Sequence, residues 1–197
     1  MTIKSGIKKN DDHCMISRIK KLKMPITVYG SGSNPNALIN WGEIYYSKLS
    51  WSDLVPKQFS FYFPKTPVSI KRVKTMTSGD VFPNDWSLFV SNDNKTFINI
   101  IKSHTMCNPE DTIIAGTRTL CKDGTIKYHD ASLVENYYYF VKFTMQANTF
   151  YTDDGWKDYI SIRGIEFFGN FLYVYKHCTP KKFTFSLAFL IAYVYHF

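Results

Sequence analysis

The residues best equipped for chemistry stand together in TFYTDDGWKD, residues 149–158. Trp156 offers a flat indole, with the carboxylates of Asp153 and Asp154 just before it and the ammonium of Lys157 just after. An indole beside carboxylates suits a sugar: the ring packs on the C–H face while the carboxylates accept hydrogen bonds from hydroxyls. The same residues read equally well as a Trp that caps the core and two acids that solvate a turn. Both readings stand at this level.

Patterns for catalysis are absent from the sequence. There is no GxSxG elbow, no HExxH pair and no phosphate-cradling glycine loop. His13, His104, His129, His177 and His196 are scattered outside any Ser or Cys motif. His129 and Asp130 are neighbours, but neighbours on a strand face opposite sides and make no dyad. Asp153 and Asp154 are no better as an acid–base couple. The expectation is a protein that is not an enzyme and needs no cofactor.

Cys14, Cys107, Cys121 and Cys178 form no CxxC and no His-paired spacing, which argues against zinc. Cys107 and Cys121 flank a short central stretch, and two disulfides are arithmetically open. The Lys-rich N-terminus shows no apolar signal segment, so reduced thiols and a cytoplasmic location are expected. Asn94-Lys95-Thr96 is an N-glycosylation sequon, and a glycan there would prove export.

Charge and hydropathy divide the chain. Of the formal charge of +8, most lies in residues 1–24, where seven Lys or Arg face two Asp. The remainder is too nearly balanced for a nucleic-acid binder, so only this leader has the charge to meet phosphate or a membrane surface. Residues 183–197, FTFSLAFLIAYVYHF, contain no Asp, Glu, Lys or Arg, and Lys181–Lys182 sit just before them. They fall short of the roughly 17–25 residues of a spanning helix. A marginal tail anchor, a cleaved lipid-anchor signal and a buried strand or helix compete there, with packing on protein or membrane contact preferred. The expected organisation is a basic, irregular leader at 1–24, a domain at 25–178 and an apolar tail at 179–197.

Aromatic residues make up 17% of the chain and suit pleated, half-buried surfaces. Residues 25–36 read as a loop, and 40–57 as irregular structure packed by Trp41, Tyr45, Tyr46 and Trp51. Alternation predicts strands at 59–63, 68–77, 86–91, 96–101, 137–146 and 159–169. Residues 78–85, SGDVFPND, are a loop, and residues 92–95, NDNK, a turn that tolerates positive φ. Residues 118–128 look like a hairpin around Lys122, Asp123 and Gly124. Short strands with turns roughly every ten residues predict an all-β, antiparallel sandwich or barrel.

Two segments are more specific. DWSLFVSNDNKTFINI at 85–100, and YISIRGIEFFG at 159–169 within 138–169, resemble the discoidin-like, or coagulation factor 5/8 type C, domain family. In that family a Trp opens a strand, a SNDxKxW-like turn follows, and the last strand ends in a GIEFFG-like run. Phe97 stands here where the family has Trp. QFSFYFPKTPVSIKRVKT, at 58–75, is similar to the paired strands that begin the family's sandwich. The resemblance spans roughly residues 40–170 and implies a galactose-binding-like jelly roll. Trp86 and Phe97 would then pack under the hairpin whose turn is 92–95. Gly164 would allow a close neighbour, and Gly169 would end the strand.

What the resemblance implies for function is binding, through loops at one end, of glycans, phospholipid head groups or protein surfaces. In the family's sugar-binding members an aromatic before the last strand stacks on a galactose-type ring, the place Trp156 holds beside Asp153, Asp154 and Lys157. The family's Arg after the early strands is replaced by Thr75–Met76–Thr77–Ser78, and its early-loop His is missing from 31–40. Polar contacts would therefore come from Asn34, Asn36, Asp80 and Asn84. Asp80, Asp153 and Asp154 would also suit a structural calcium, though without a loop signature. Two functions remain open: a carbohydrate- or small-ligand-binding module using the loops at 78–86 and 149–158, or an intracellular protein-interaction module. The second would dock a protein through those loops or the aromatic face around Tyr137–Tyr139.

Overall fold

Phe59, Phe61 and Phe63 are each at most 1% exposed, while Ser60 and Tyr62 between them are half-buried. That alternation is what a strand with one face on a core requires. A computed structural model describes residues 14–30, 34–48, 57–78, 82–103, 105–115, 118–132, 136–148 and 159–172. The strands are β1 (Thr27–Gly30), β2 (Tyr45–Lys48), β3 (Lys57–Tyr62), β4 (Val68–Thr77), β5 (Pro83–Ser91) and β6 (Ile98–Ser103). They continue as β7 (Thr112–Ala115), β8 (Arg118–Cys121), β9 (Ile126–Asp130), β10 (Phe140–Asn148) and β11 (Tyr159–Phe171).

A five-stranded sheet runs β1-β3-β10-β5-β6 and a four-stranded sheet β2-β11-β4-β9, both antiparallel. Their inner faces meet through rings. Phe61 is edge-on to Phe167 at 5.1 Å, Tyr45 edge-on to Phe59 at 5.6 Å, and Trp86 perpendicular to His129 at 4.6 Å. Within the larger sheet Trp86, Phe143 and Phe59 stack in sequence at 4.5 and 4.8 Å. Each fully buried Phe contributes roughly 1.5–3 kcal/mol of transfer free energy. The chain is the antiparallel β-sandwich its alternation predicts.

Several local expectations are corrected. The leader is not wholly irregular: helix α1, Met15–Lys21, lies on the outside of β11 with Met15, Ile16 and Ile19 at most 1% exposed. Three apolar side chains on one helical face were enough to dock it. The loop expected at 25–36 contains β1, which pairs with β3, and a 3₁₀ turn at Pro35–Ile39 follows. The hairpin expected over 118–128 does not form. β8 pairs with β7, whereas β9 joins the edge of the four-stranded sheet beside β4. The Asp-Gly turn is present, with Gly124 at φ +77°, but its N–H donates to Thr77 O at 3.1 Å.

Phe97 does not share a pocket with Trp86. It is half-buried on the outer side of the five-stranded sheet, with Lys142 Nζ 3.6 Å above its ring, while Trp86 is fully buried. Along β11 a bulge between Ile162 and Gly164 breaks strict alternation, so Ile162, Ile165 and Phe167 all reach the core. Gly169, at φ +146°, sits in a second irregularity rather than ending the strand, which continues to Phe171. A Cβ there would lie 2.1 Å from Ser69 O. Finally, Cys107 and Cys121 form a disulfide where reduced thiols were expected, and Cys14 is free. The bond joins the chain before β7 to the end of β8, two positions that hairpin pairing brings together. Cys178 and the tail lie outside the described residues. Among those described, no helix is long and apolar enough to cross a membrane.

Candidate functional site

The register of the two sheets fixes where the loops emerge. Asn148 at the end of β10 pairs with Pro83 at the start of β5, and Met145 pairs with Lys57 at the start of β3. In the other sheet Tyr159 pairs with Lys48 at the end of β2, and Ile162 with Thr77 at the end of β4. The connections 49–56, 78–82 and 149–158 therefore all leave from one end of the sandwich, and each crosses from one sheet to the other. Strand pairing thus brings Asn84 and the ends flanking 149–158 to the same rim, although they are over sixty residues apart in the chain. Trp156, Asp153, Asp154, Lys157 and Asp80 lie outside the described residues. Asn84 lies within β5 between Pro83 and Asp85. Asn34 and Asn36 are exposed at the 3₁₀ turn that follows β1.

The described part of the rim is anchored by polar contacts. Thr77 Oγ1 donates to Lys122 O at 3.3 Å, and Ser161 Oγ to Ser78 O at 3.3 Å. Arg163 Nη1 and Asp123 Oδ2 pair at 2.8 Å, joining β11 to the turn before β9. Sequence reasoning missed this pair. The signal was an Arg on the nominal face of Ile165 and Phe167, a mismatch that marks the bulge. Trp41 was also missed as a surface group. It is 41% exposed and lies against Gly164, where a Cβ would come within 2.8 Å of the indole, and Lys74 Nζ stands 4.0 Å from its ring centre.

Beneath the rim lies a buried polar cluster. His129 Nε2 is 3.1 Å from Thr75 Oγ1, and burial lowers the imidazole's pKa from its ordinary 6.5 to about 4. Trp86 Nε1 and Thr125 Oγ1 are buried without a hydrogen-bond partner among the described residues. Asp130, on the opposite side of β9, pairs with the Arg72 side chain, so His129 and Asp130 diverge as strand geometry requires. Glu166 is buried under α1. It accepts from Ile16 N at 2.7 Å, Ser17 Oγ at 2.7 Å and Phe167 N at 3.0 Å, and its pKa is raised, chiefly by burial. Both groups are buried. No group of three or more His, Cys, Asp or Glu among the described residues is arranged to hold a metal. Tyr138 is 5% exposed and bridges Val68, so only Tyr137 and Tyr139 of that trio reach the surface.

No protein-family model and no curated protein matches the chain. Solved structures do. The likeness is one of fold. CBM32-3, from a family 31 glycoside hydrolase of Clostridium perfringens, matches at TM-score 0.49 and 14% identity, over 73% of this chain and 91% of that one. CpGH89CBM32-5 of the same organism, solved with GalNAc-β-1,3-galactose, gives 0.47 and 13% over 76% and 97%. Chitosan-binding module 1 of a chitosanase/glucanase from Paenibacillus sp. IK-5 gives 0.48 and 14% over 74% and 95%.

Proposed function

We propose that this chain is a non-catalytic binding module that takes carbohydrate at the loop rim. The observation that carries this reading is the convergence of three sheet-to-sheet connections at one end, fixed by the pairings of Asn148 with Pro83 and Ile162 with Thr77. In the proposed site Trp156 supplies the stacking face. Asp153, Asp154, Lys157, Asp80 and Asn84 supply hydrogen bonds to hydroxyls, and the three acids are the groups a structural calcium would use. A second reading, docking of a protein, is favoured by the hairpin β7–β8, where Ile113 and Ile114 are 50% and 79% exposed.

A glycan-array screen of the full chain, with Trp156→Ala alongside and in calcium or chelator, tests the first reading. The full chain is required because a fragment starting at residue 25 would uncover the surface beneath Met15, Ile16 and Ile19. Selective binding that disappears in Trp156→Ala is the expected result. A blank array from folded protein would overturn the sugar reading for the glycans displayed and favour the protein partner.

A further inference from the structure

The geometry points to Asn94 as an N-glycan attachment site, modified when the chain passes through an oxidising, glycosylating lumen. Asn94-Lys95-Thr96 is the sequence's one Asn-X-Ser/Thr sequon without Pro at X, and residues 92–96 are all exposed. Asn94 occupies the tip of the β5–β6 turn at φ 59°, a backbone state that Asn tolerates well. The turn does not depend on its side chain. Asp93 Oδ1 accepts Lys95 N and Thr96 N, both at 2.8 Å, while Ser91 Oγ accepts Asn94 N at 3.0 Å. The carboxamide of Asn94 has no hydrogen-bond partner among the described residues, so a substituent on Nδ2 breaks no contact.

An independent observation concerns the compartment. Cys107 and Cys121 are bonded, and disulfides form and persist in oxidising compartments such as the secretory lumen. Position adds a third element. β5 starts at the rim with Pro83 and ends at Ser91, so its turn lies at the opposite end of the sandwich. A glycan there stands clear of the loop rim and leaves it open.

The donor is a lipid-linked oligosaccharide pyrophosphate. A bond forms between Asn94 Nδ2 and the anomeric carbon, and the bond from that carbon to the phosphate oxygen breaks. The pyrophosphate leaves with the electron pair, and one amide proton passes to base.

The test expresses the full chain behind a cleavable secretory leader in animal cells and scores leader-cleaved protein by endoglycosidase shift and peptide mapping. One glycan on Asn94 is expected. It should be absent from Asn94→Gly, which keeps the positive φ, and from Thr96→Ala, which keeps the backbone donor to Asp93, with thermal unfolding unchanged in both. Leader-cleaved wild-type chain with unmodified Asn94 would overturn the proposal. Glycan retained in either variant would overturn it too.

Discussion

On the outer side of the four-stranded sheet, Glu166 lies beneath α1 and binds the first N–H groups of that helix. On the outer side of the five-stranded sheet, Phe89, Phe97 and Phe140 remain half-buried, with Lys142 Nζ over Phe97 at 3.6 Å and 5.5 Å from Phe89. The difference shows what closes a sheet face. A carboxylate among apolar neighbours needs donors brought to it, and a helix N-terminus supplies them while Ile16 and Ile19 cover the surface. Rings interleaved with an ammonium are partly covered by the flexible Lys side chain and can meet water directly.

Deleting the apolar contact on the covered face gives the largest expected effect. Ile19→Ala should cost about 2–5 kcal/mol in chemical denaturation. A cost no greater than that of Phe97→Ala on the open face would end the contrast.

Acid titration sharpens it next. His129 titrates near 4 in the fold against an ordinary 6.5, so the unfolded chain binds its proton more tightly. Its contribution is full above about 6.5 and is lost as pH falls towards 4, on the order of 3 kcal/mol at the limit. Glu166 under α1 is raised above its usual 4.5, so its contribution runs the other way and fades as pH rises through the raised value. Denaturation midpoints measured from pH 4 to 7 should therefore respond oppositely to His129→Gln and Glu166→Gln. The first should flatten the acid-side loss and the second the loss on raising pH. Parallel responses would show that burial under the helix does not set the Glu166 equilibrium. The smallest effect belongs to the open face, where Lys142→Ala should cost about 0.5–1 kcal/mol.

How far the sequence reaches is visible in particular residues. Alternation at Phe59–Phe61–Phe63 and Trp86–Leu88–Val90 identified inner-facing positions, because period 2 is a direct image of the pleat. The Asn92–Lys95 turn was equally legible from its residue types. Strand partners were not. The Lys122–Asp123–Gly124 turn suggested a local hairpin, but Ile126–Asp130 found its partner some fifty residues earlier, in β4. Helix α1 escaped notice because seven residues are too few for a strong period. The bulge at Arg163 breaks the two-residue alternation of β11 that a strand at 159–169 implies, so Ile162, Ile165 and Phe167 all reach the core. The disulfide escaped because the compartment was inferred from the N-terminal residues rather than from pairing geometry. For the candidate site, strand pairing has the connections 78–82 and 149–158 leave from one end of the sandwich, and Asn84, read as the edge of the 78–85 loop, lies where β5 already begins. The exposure of Trp41 and the Arg163–Asp123 pair went unread because each depends on a bulge or a distant glycine.

The strand order carries a consequence for synthesis. β10 is the middle strand of one sheet and β11 an inner strand of the other, and both lie late in the chain. A nascent chain ending before Phe140 can pair β1 with β3, β5 with β6 and β4 with β9, but these ribbons have nothing to join them. The five-stranded sheet cannot close until β10 has left the ribosome, nor the four-stranded sheet until β11 has, so folding should be late and governed by long-range pairing. Premature stops anywhere upstream should yield chains without a core rather than shorter working domains.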